Sequence, residues 1–377
     1  MQKEKPLRVG IVFDDTLDSN DGVAQYVKGL GGWLSRHGHE VVYLVGQTKM
    51  EVWAGGKVCP LSKNIKVSFN GNKMSIPLPG KTSVIKSVLA RENLDVVHVQ
   101  IPYSPFMAQK VIKIARRNSV VVGTFHVFPA SRLAVVGAKL LYLVQARSLK
   151  KFDRVLSVSS AAAKFAKDAF HLSTQPSSNI VDLAGFKQPP NASQAQHIVF
   201  LGRLVKRKGC QQLIEAFDLL QKKVPEARLT IAGDGPERAA LQKIVKQKNL
   251  QDSIKFIGFI DEKDKPKLLA SAAIACFPSL YGESFGIVLI EAMAAGAGIV
   301  LGGDNPGYRS VLGGQETLLV DPRNQTALAD RLEHLLKDDK LARQLHNWQL
   351  EQVKQYDVNV VGRQILDIYN QEIAKKR

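Results

Sequence analysis

The apolar residues of this chain fall into two recurring patterns. Runs that are apolar at nearly every position, such as LRVGIVF (7–13), EVVYLV (40–45), LDVVHV (94–99), VVVGTFH (120–126) and RVLSVS (154–159), read as strands buried on both faces of a parallel sheet. Between them, over residues 23–35, 82–91 and 107–117, apolar positions return every three or four residues, as on helices packed against that sheet. Residues 58–80 break the alternation. There Val67 and Phe69, an Asn70-Gly71 pair, then Met74 and Ile76 predict a hairpin.

A polar, proline-containing stretch, GFKQPPNASQAQ (185–196), separates this series from a second one, which runs through HIVFLGR, RLTIAGDG, IKFIGF, IACFPS, GIVLGG and TLLVD. The expected class is α/β: two doubly wound, Rossmann-like domains over residues 1–187 and 197–356, followed by an amphipathic terminal helix over residues 357–377. The turn after the first strand, DDTLDSNDGVAQ, carries Gly22, which could let a phosphate approach the helix start. It lacks G-x-G-x-x-G, since Gly29, Gly31 and Gly32 lie within or after the helix, and this argues against an NAD enzyme.

Composition narrows the picture. At 377 residues and 45% hydrophobic content the chain can fill two cores. No apolar run is long enough to span a bilayer and the first residues lead directly into a strand pattern, so a cytoplasmic protein is expected. Three dispersed cysteines suggest neither a disulfide framework nor a zinc site. The net charge of +18 is unevenly spread: residues 1–190 hold 26 Lys and Arg against 12 Asp and Glu, the remainder 26 against 22, and no acidic residue lies between Asp95 and Asp153. Such a field implies an anionic partner. Nucleic acid is not expected, because aromatic residues are sparse in the basic stretches and no recognition module is visible. A membrane surface fits better: in KTSVIKSVLAR, Lys81 and Lys86 lie outside the stripe of Val84, Ile85, Val88 and Leu89, with Arg91 closing the stretch. QKVIKIARR and SRLAVVGAKLLYLVQARSLKK are basic in the same way.

The candidate chemistry gathers in YGESFGIVLIEAMAAG (281–296). Gly286 precedes an apolar helix, and a helix start offers unpaired N–H groups and a partial positive charge to a phosphate. Glu283 lies before that helix, and Glu291 is the one charge within it. Eight helical residues rise ~12 Å, beyond the ~5–9.5 Å of paired hydrolytic carboxylates, which disfavours a glycosidase. In FLGRLVKRKG, Arg203 and Lys208 follow a strand and are placed to hold a diphosphate. There is no D-x-D, which agrees with transfer that needs no metal and rests on those cations and the N–H groups near Gly286 and Ile287. His126 ends a strand, where a neutral imidazole could bond a sugar hydroxyl or the acceptor. Ile260 and Lys265, in GFIDEKDK, are candidates for the nucleotide base, and Asp234 in GDGPE reads as a turn or cap residue.

Glu283 and Glu291 form an E-x7-E pair and Arg203 and Lys208 a GR-x4-KG pair; in register, the two resemble the signatures of the retaining glycosyltransferases of family four. The resemblance implies a GT-B fold, with two Rossmann-like domains facing across a cleft and the terminal segment crossing back to the first. It implies Glu283 at the donor sugar, Glu291 on the ribose, His126 beside the sugar, Phe285, Gly286 and Ile287 in the nucleotide-sugar loop, and no cofactor beyond the donor. Within that family GESFGIVLIEAMAAG, the DGV turn, LDVVHVQIP, TFH and QYDVNVVGRQI most resemble the phosphatidylinositol mannosyltransferases of actinobacteria. That implies mannose from GDP-mannose, an inositol phospholipid acceptor and a peripheral place on the inner membrane face. A soluble acceptor with another donor is the alternative, and a non-enzymatic anion-binding protein a distant one. Two departures stand out. Asp21 replaces the first glycine of a Gly-Gly turn, and NIVDLAGF replaces I-P-N-G-V-D.

Overall fold

The computed structural model describes residues 5–18, 21–69, 72–126, 132–189 and 194–377, and the side chains of residues 66–76 and 132–134 are left out of the description. The chain forms two compact units, Met1–Ile180 together with Val358–Arg377, and Val181–Asp357.

The first unit runs β1 (Arg8–Phe13), α1 (Gly22–Arg36), β2 (Glu40–Val45), β3 (Val52–Trp53), β4 (Gly56–Pro60), β5 (Asn64–Phe69), β6 (Asn72–Pro77), α2 (Thr82–Glu92), β7 (Val96–Gln100), α3 (Met107–Ile114), β8 (Val120–Phe125), α4 (Arg132–Leu149), β9 (Arg154–Ser157), α5 (Ser160–Phe170) and β10 (Gln175–Pro176). Among the described residues its main sheet is ordered β10-β9-β8-β7-β1-β2-β4-β3, parallel apart from the β3–β4 pair. The β-branched runs of β1, β7 and β8 are buried along nearly their whole length because helices cover both faces. α1 packs on one face and α2 and α3 on the other, each with its own apolar cluster. The hairpin is present as antiparallel β5 and β6; its Asn70-Gly71 turn lies outside the described residues.

The second unit runs α6 (Leu183–Phe186), β11 (Gln194–Leu201), α7 (Cys210–Gln221), β12 (Arg228–Ala232), α8 (Arg238–Gln247), β13 (Ile254–Gly258), α9 (Lys265–Ala270), β14 (Ala272–Phe277), α10 (Ile287–Ala295), β15 (Ile299–Gly303), α11 (Pro306–Leu312), β16 (Leu319–Val320), α12 (Gln325–Lys337) and α13 (Asp339–Gln352). Its described strands are all parallel, ordered β13-β12-β11-β14-β15-β16. Counted from β11 this is 3-2-1-4-5-6, the Rossmann order, in which the direction of winding reverses between the first and fourth strands.

The unit boundary falls between Ile180 and Val181, ahead of the polar stretch at residues 185–196. Part of that stretch is folded into the second unit, since Gly185 lies in α6, its N–H donating to the Asp182 carboxylate, and Gln194 starts β11. Composition registers solvent exposure there and cannot separate an exposed turn from a hinge. The last helix, α14 (Val358–Lys376), belongs to the first unit. It packs on α1, where a Cβ on Gly362 would come within 2.5–2.9 Å of the Trp33 ring, and the Trp33 indole donates to Asn359 Oδ1 at 3.0 Å. Arg154 pairs with buried Glu372, and Lys376 with Asp153 at 2.7 Å.

Candidate active site

In an open α/β sheet, ligands bind outside the carboxyl ends of the strands where winding reverses. In the second unit that point lies between β11 and β14, so the loops over residues 202–209 and 278–286 frame it. They are fastened together: the Leu280 N–H donates to the Arg207 carbonyl at 2.8 Å, and Gly209, at φ +72°, sits so close to the Pro278 carbonyl oxygen that a side chain there would overlap it. The result is a carboxylate between two cations. Arg207 Nη1 and Lys208 Nζ each lie 2.8 Å from Glu283 Oε1. Burial pushes the Glu283 carboxyl up, but the fields of Lys208 and Arg207 outweigh it and hold the group below the usual carboxylate range.

The Glu283 loop is fixed from behind. Gly307 abuts the Glu283 backbone so tightly that a Cβ would overlap its carbonyl. Asn305 caps α11 by accepting from the Tyr308 N–H at 3.0 Å, while its amide donates to the carbonyls of Ser279 and Gly303. Buried Tyr308 meets the Ser279 hydroxyl at 3.1 Å. These contacts fix the backbone that carries Glu283.

α10 begins at Gly286, φ +110°, and no side chain caps it. An added Cβ would lie 2.7 Å from Tyr308 Cδ1 and 2.9 Å from Leu289 Cδ1, so only glycine fits both the backbone and the space. Ile287 starts the helix half-buried, and an uncapped helix start of this kind suits an anion. Glu291, one turn and more into α10, is buried and pairs with Lys265 at 3.1 Å; Lys265 also reaches Glu262 at 2.9 Å. Burial raises the Glu291 carboxyl despite Lys265, whereas burial of Lys265 is more than offset by its two carboxylates, which hold the ammonium charged.

The structure sorts the other sequence candidates. Arg203 is exposed on the loop after β11, five residues before Lys208, and the second cation on Glu283 is Arg207, which sequence reasoning passed over although it adjoins Lys208 in KRKG. Lys265, proposed for the base, is committed to Glu291 and Glu262. Ile260 is half-buried in the loop before α9. The Phe285 ring is a core group, edge-on to Tyr356 at 5.5 Å, so what it can offer a ligand is backbone. Asp234 closes its own turn onto the Gly235 N–H at 2.8 Å and does not cap α8. Ser279, Asn305 and Tyr308 left no sequence signal beyond the tight N-P-G-Y turn.

In the first unit His126 is buried at the carboxyl end of β8, with Nε2 2.7 Å from Gln100 Oε1 and its ring edge-on to Tyr26 at 4.8 Å. Burial pushes its pKa down to about 3, so the imidazole is neutral. Gly22 starts α1, but the Asp21 carboxylate accepts from both the Val23 and Ala24 N–H groups at 2.9 Å, and the donors proposed for a phosphate are engaged. Lys81, just ahead of α2, and Lys86 within it are exposed as expected. Arg91 is exposed too, and its guanidinium pairs with buried Glu92 at 2.8 Å, which Arg8 and Lys57 also contact.

The fold is that of the GT-B glycosyltransferases: two Rossmann-like units, the second with a cation-held glutamate beside an uncapped glycine-started helix. Residues 20–180 match the Glycosyltransferase Family 4 model and residues 184–349 the Glycosyl transferases group 1 model, and the chain belongs to this glycosyltransferase family. It is 29% identical to the phosphatidyl-myo-inositol mannosyltransferase of Mycolicibacterium smegmatis, over 96% of this chain and 93% of that one. Among solved structures it resembles a sucrose-phosphate synthase from Thermosynechococcus elongatus, with a TM-score of 0.78 at 22% identity over 98% of this chain and all of that one. A glycosyltransferase from Rickettsia africae is similar too, with a TM-score of 0.77 at 19% identity over 98% and 99% of the two chains. No described helix is long and apolar enough to cross a membrane.

Proposed function

We propose that this glycosyltransferase moves mannose from GDP-mannose, with retention of configuration, to an anionic lipid of the phosphatidylinositol class at the inner face of the membrane. The observation that carries this reading is the similarity to phosphatidyl-myo-inositol mannosyltransferases, which runs through both units and nearly the full length of each chain. The site supplies a physical route. Breaking the anomeric bond puts negative charge on the departing diphosphate, and Arg203, Lys208 and the start of α10 supply fixed positive charge to receive it. This arrangement calls for no metal. Glu283, held by Arg207 and Lys208, orients the sugar, and Glu291 binds the ribose hydroxyls through its carboxylate while Lys265 keeps it in place. The neutral His126 can bond a hydroxyl without adding charge. The acceptor hydroxyl then attacks from the face the diphosphate leaves.

The test is a donor scan with GDP- and UDP-sugars in the presence of a chelator, with and without vesicles containing phosphatidylinositol. Mannosyl transfer from GDP-mannose to the lipid with the anomeric configuration kept is the expected result. Turnover of another donor that ignores the vesicles moves the acceptor to a soluble molecule, and loss of turnover with chelator removes the metal-free route.

A further inference from the structure

α4 buries Ala138 and Leu149 but leaves other aliphatic residues exposed. It lies against α3 and α5, and the residues on its inner side include Gln145 and Ser148, both buried. Gln145 donates to the Tyr103 carbonyl at 3.0 Å and Ser148 donates to Gln109 Oε1 on that inner side. Four aliphatic residues point outward. Val136, Leu140, Leu143 and Val144 are 56%, 62%, 74% and 78% exposed, and their spacing of four, three and one places them on one stripe of the helix. Lys139 and Lys150 border that stripe, and Arg147 continues it by one turn. No acidic residue occurs from residue 96 to 152, and Asp168 on neighbouring α5 is paired with Lys164 at 2.9 Å.

We propose that this face of α4 docks the protein on a bilayer containing anionic lipid, the helix lying in the interface with its aliphatic stripe among the acyl chains and Lys139, Arg147 and Lys150 at the headgroups. The inference rests on the lipid-acceptor reading above and names the surface through which the enzyme meets its acceptor. An aliphatic stripe edged by long basic side chains is what an interfacial helix requires, because the stems of Lys and Arg lie along apolar surface while their charges reach phosphate. A second copy of the chain suits it less. Four aliphatic side chains expose on the order of 400 Å², about half of the ~800 Å² per partner of a stable interface, and the basic border would face its own like charge.

The experiment is co-sedimentation of the full chain with vesicles of phosphatidylcholine alone or mixed with phosphatidylinositol or phosphatidylglycerol, comparing wild type with Leu143→Glu/Val144→Glu. Partition onto the anionic vesicles is expected to fall on the order of tenfold or more in the variant, with an unchanged melting temperature and unchanged transfer to detergent-solubilised phosphatidylinositol. Lys139→Gln/Arg147→Gln/Lys150→Gln is expected to lose the preference for anionic over neutral vesicles. The inference is overturned if Leu143→Glu/Val144→Glu sediments like wild type, or if it changes only the oligomeric state seen by light scattering. The two proposals separate in the same experiment. Absence of transfer to solubilised phosphatidylinositol sinks the acceptor reading whatever the vesicles show, and unaltered sedimentation sinks the docking face whatever the transfer assay shows.

Discussion

The starts of α1 and α10 each follow the loop from a strand at their sheet's winding reversal, β1 being the first strand of its unit and β14 the fourth of its own, yet they are finished in opposite ways. At α1 the protein provides its own anion: the Asp21 carboxylate takes the Val23 and Ala24 N–H groups and offsets the positive helix end. At α10 there is no side-chain cap, and the nearby carboxylate, Glu283, is held instead by Arg207 and Lys208. The first is a closed, stabilised helix end. The second keeps its dipole for a ligand, so strand–loop–helix geometry alone does not identify a phosphate site; the residue at the cap decides.

The largest expected effect is at Glu283. Glu283→Ala removes the group proposed to orient the sugar and leaves two cations without it, and transfer is expected to drop ~10²–10³-fold. Rates within tenfold of wild type would place the sugar elsewhere. Gly286→Ala comes next, combining backbone strain with overlap on Tyr308 and Leu289, for roughly 2–4 kcal/mol of lost stability in urea unfolding. Gly38→Ala is its control, since Gly38 is also at positive φ (+85°) but has open space around it. Equal losses at both positions would mean the Tyr308 contact contributes nothing.

Acid distinguishes the two regions further. His98 and His126 are both pushed down to about 3 by burial, so below pH ~6.5 the unfolded chain binds protons that the first unit refuses, and stability falls as pH drops from 6.5 toward 3. At pH 5 the loss is on the order of 2 kcal/mol per histidine. His197 in the second unit is shifted the same way by its partial burial. Glu283 behaves otherwise: with its folded pKa depressed, its contribution is complete above the ordinary carboxylate value and fades only as pH falls through the lower folded value. His126→Gln is expected to narrow the gap between urea midpoints at pH 7.5 and pH 5. An unchanged gap would assign the acid sensitivity to other groups. The smallest effect belongs to Asp21: Asp21→Ala costs ~1 kcal/mol of stability and Asp21→Gly a few tenths, with transfer altered only severalfold. Abolished transfer in either would bring the start of α1 into the machinery.

Much of the fold is legible in the residues. The predicted strands from residues 7, 40, 94, 120 and 154 correspond to β1, β2, β7, β8 and β9, because uninterrupted β-branched runs have few uses other than a covered parallel sheet. The helix over 82–91 appears as Thr82–Glu92, and Glu291, the one charge within its apolar helix, is paired with Lys265. What escaped were facts of three dimensions. Glu92 gathers Arg8, Lys57 and Arg91, Tyr356 takes up the Phe285 ring, and Arg207 joins Lys208 on Glu283.

By itself, then, the sequence determined the periodicities, the two α/β series, the glycines whose backbone admits little else and the two spaced signatures, all of which follow from local sterics and the repeat of helix and strand. The tertiary structure alone decided which ion pairs form and that α4 leaves an aliphatic stripe exposed. Those depend on which side chains distant segments bring within a few ångströms, and a charge or an apolar stripe does not encode in its own neighbourhood what will face it.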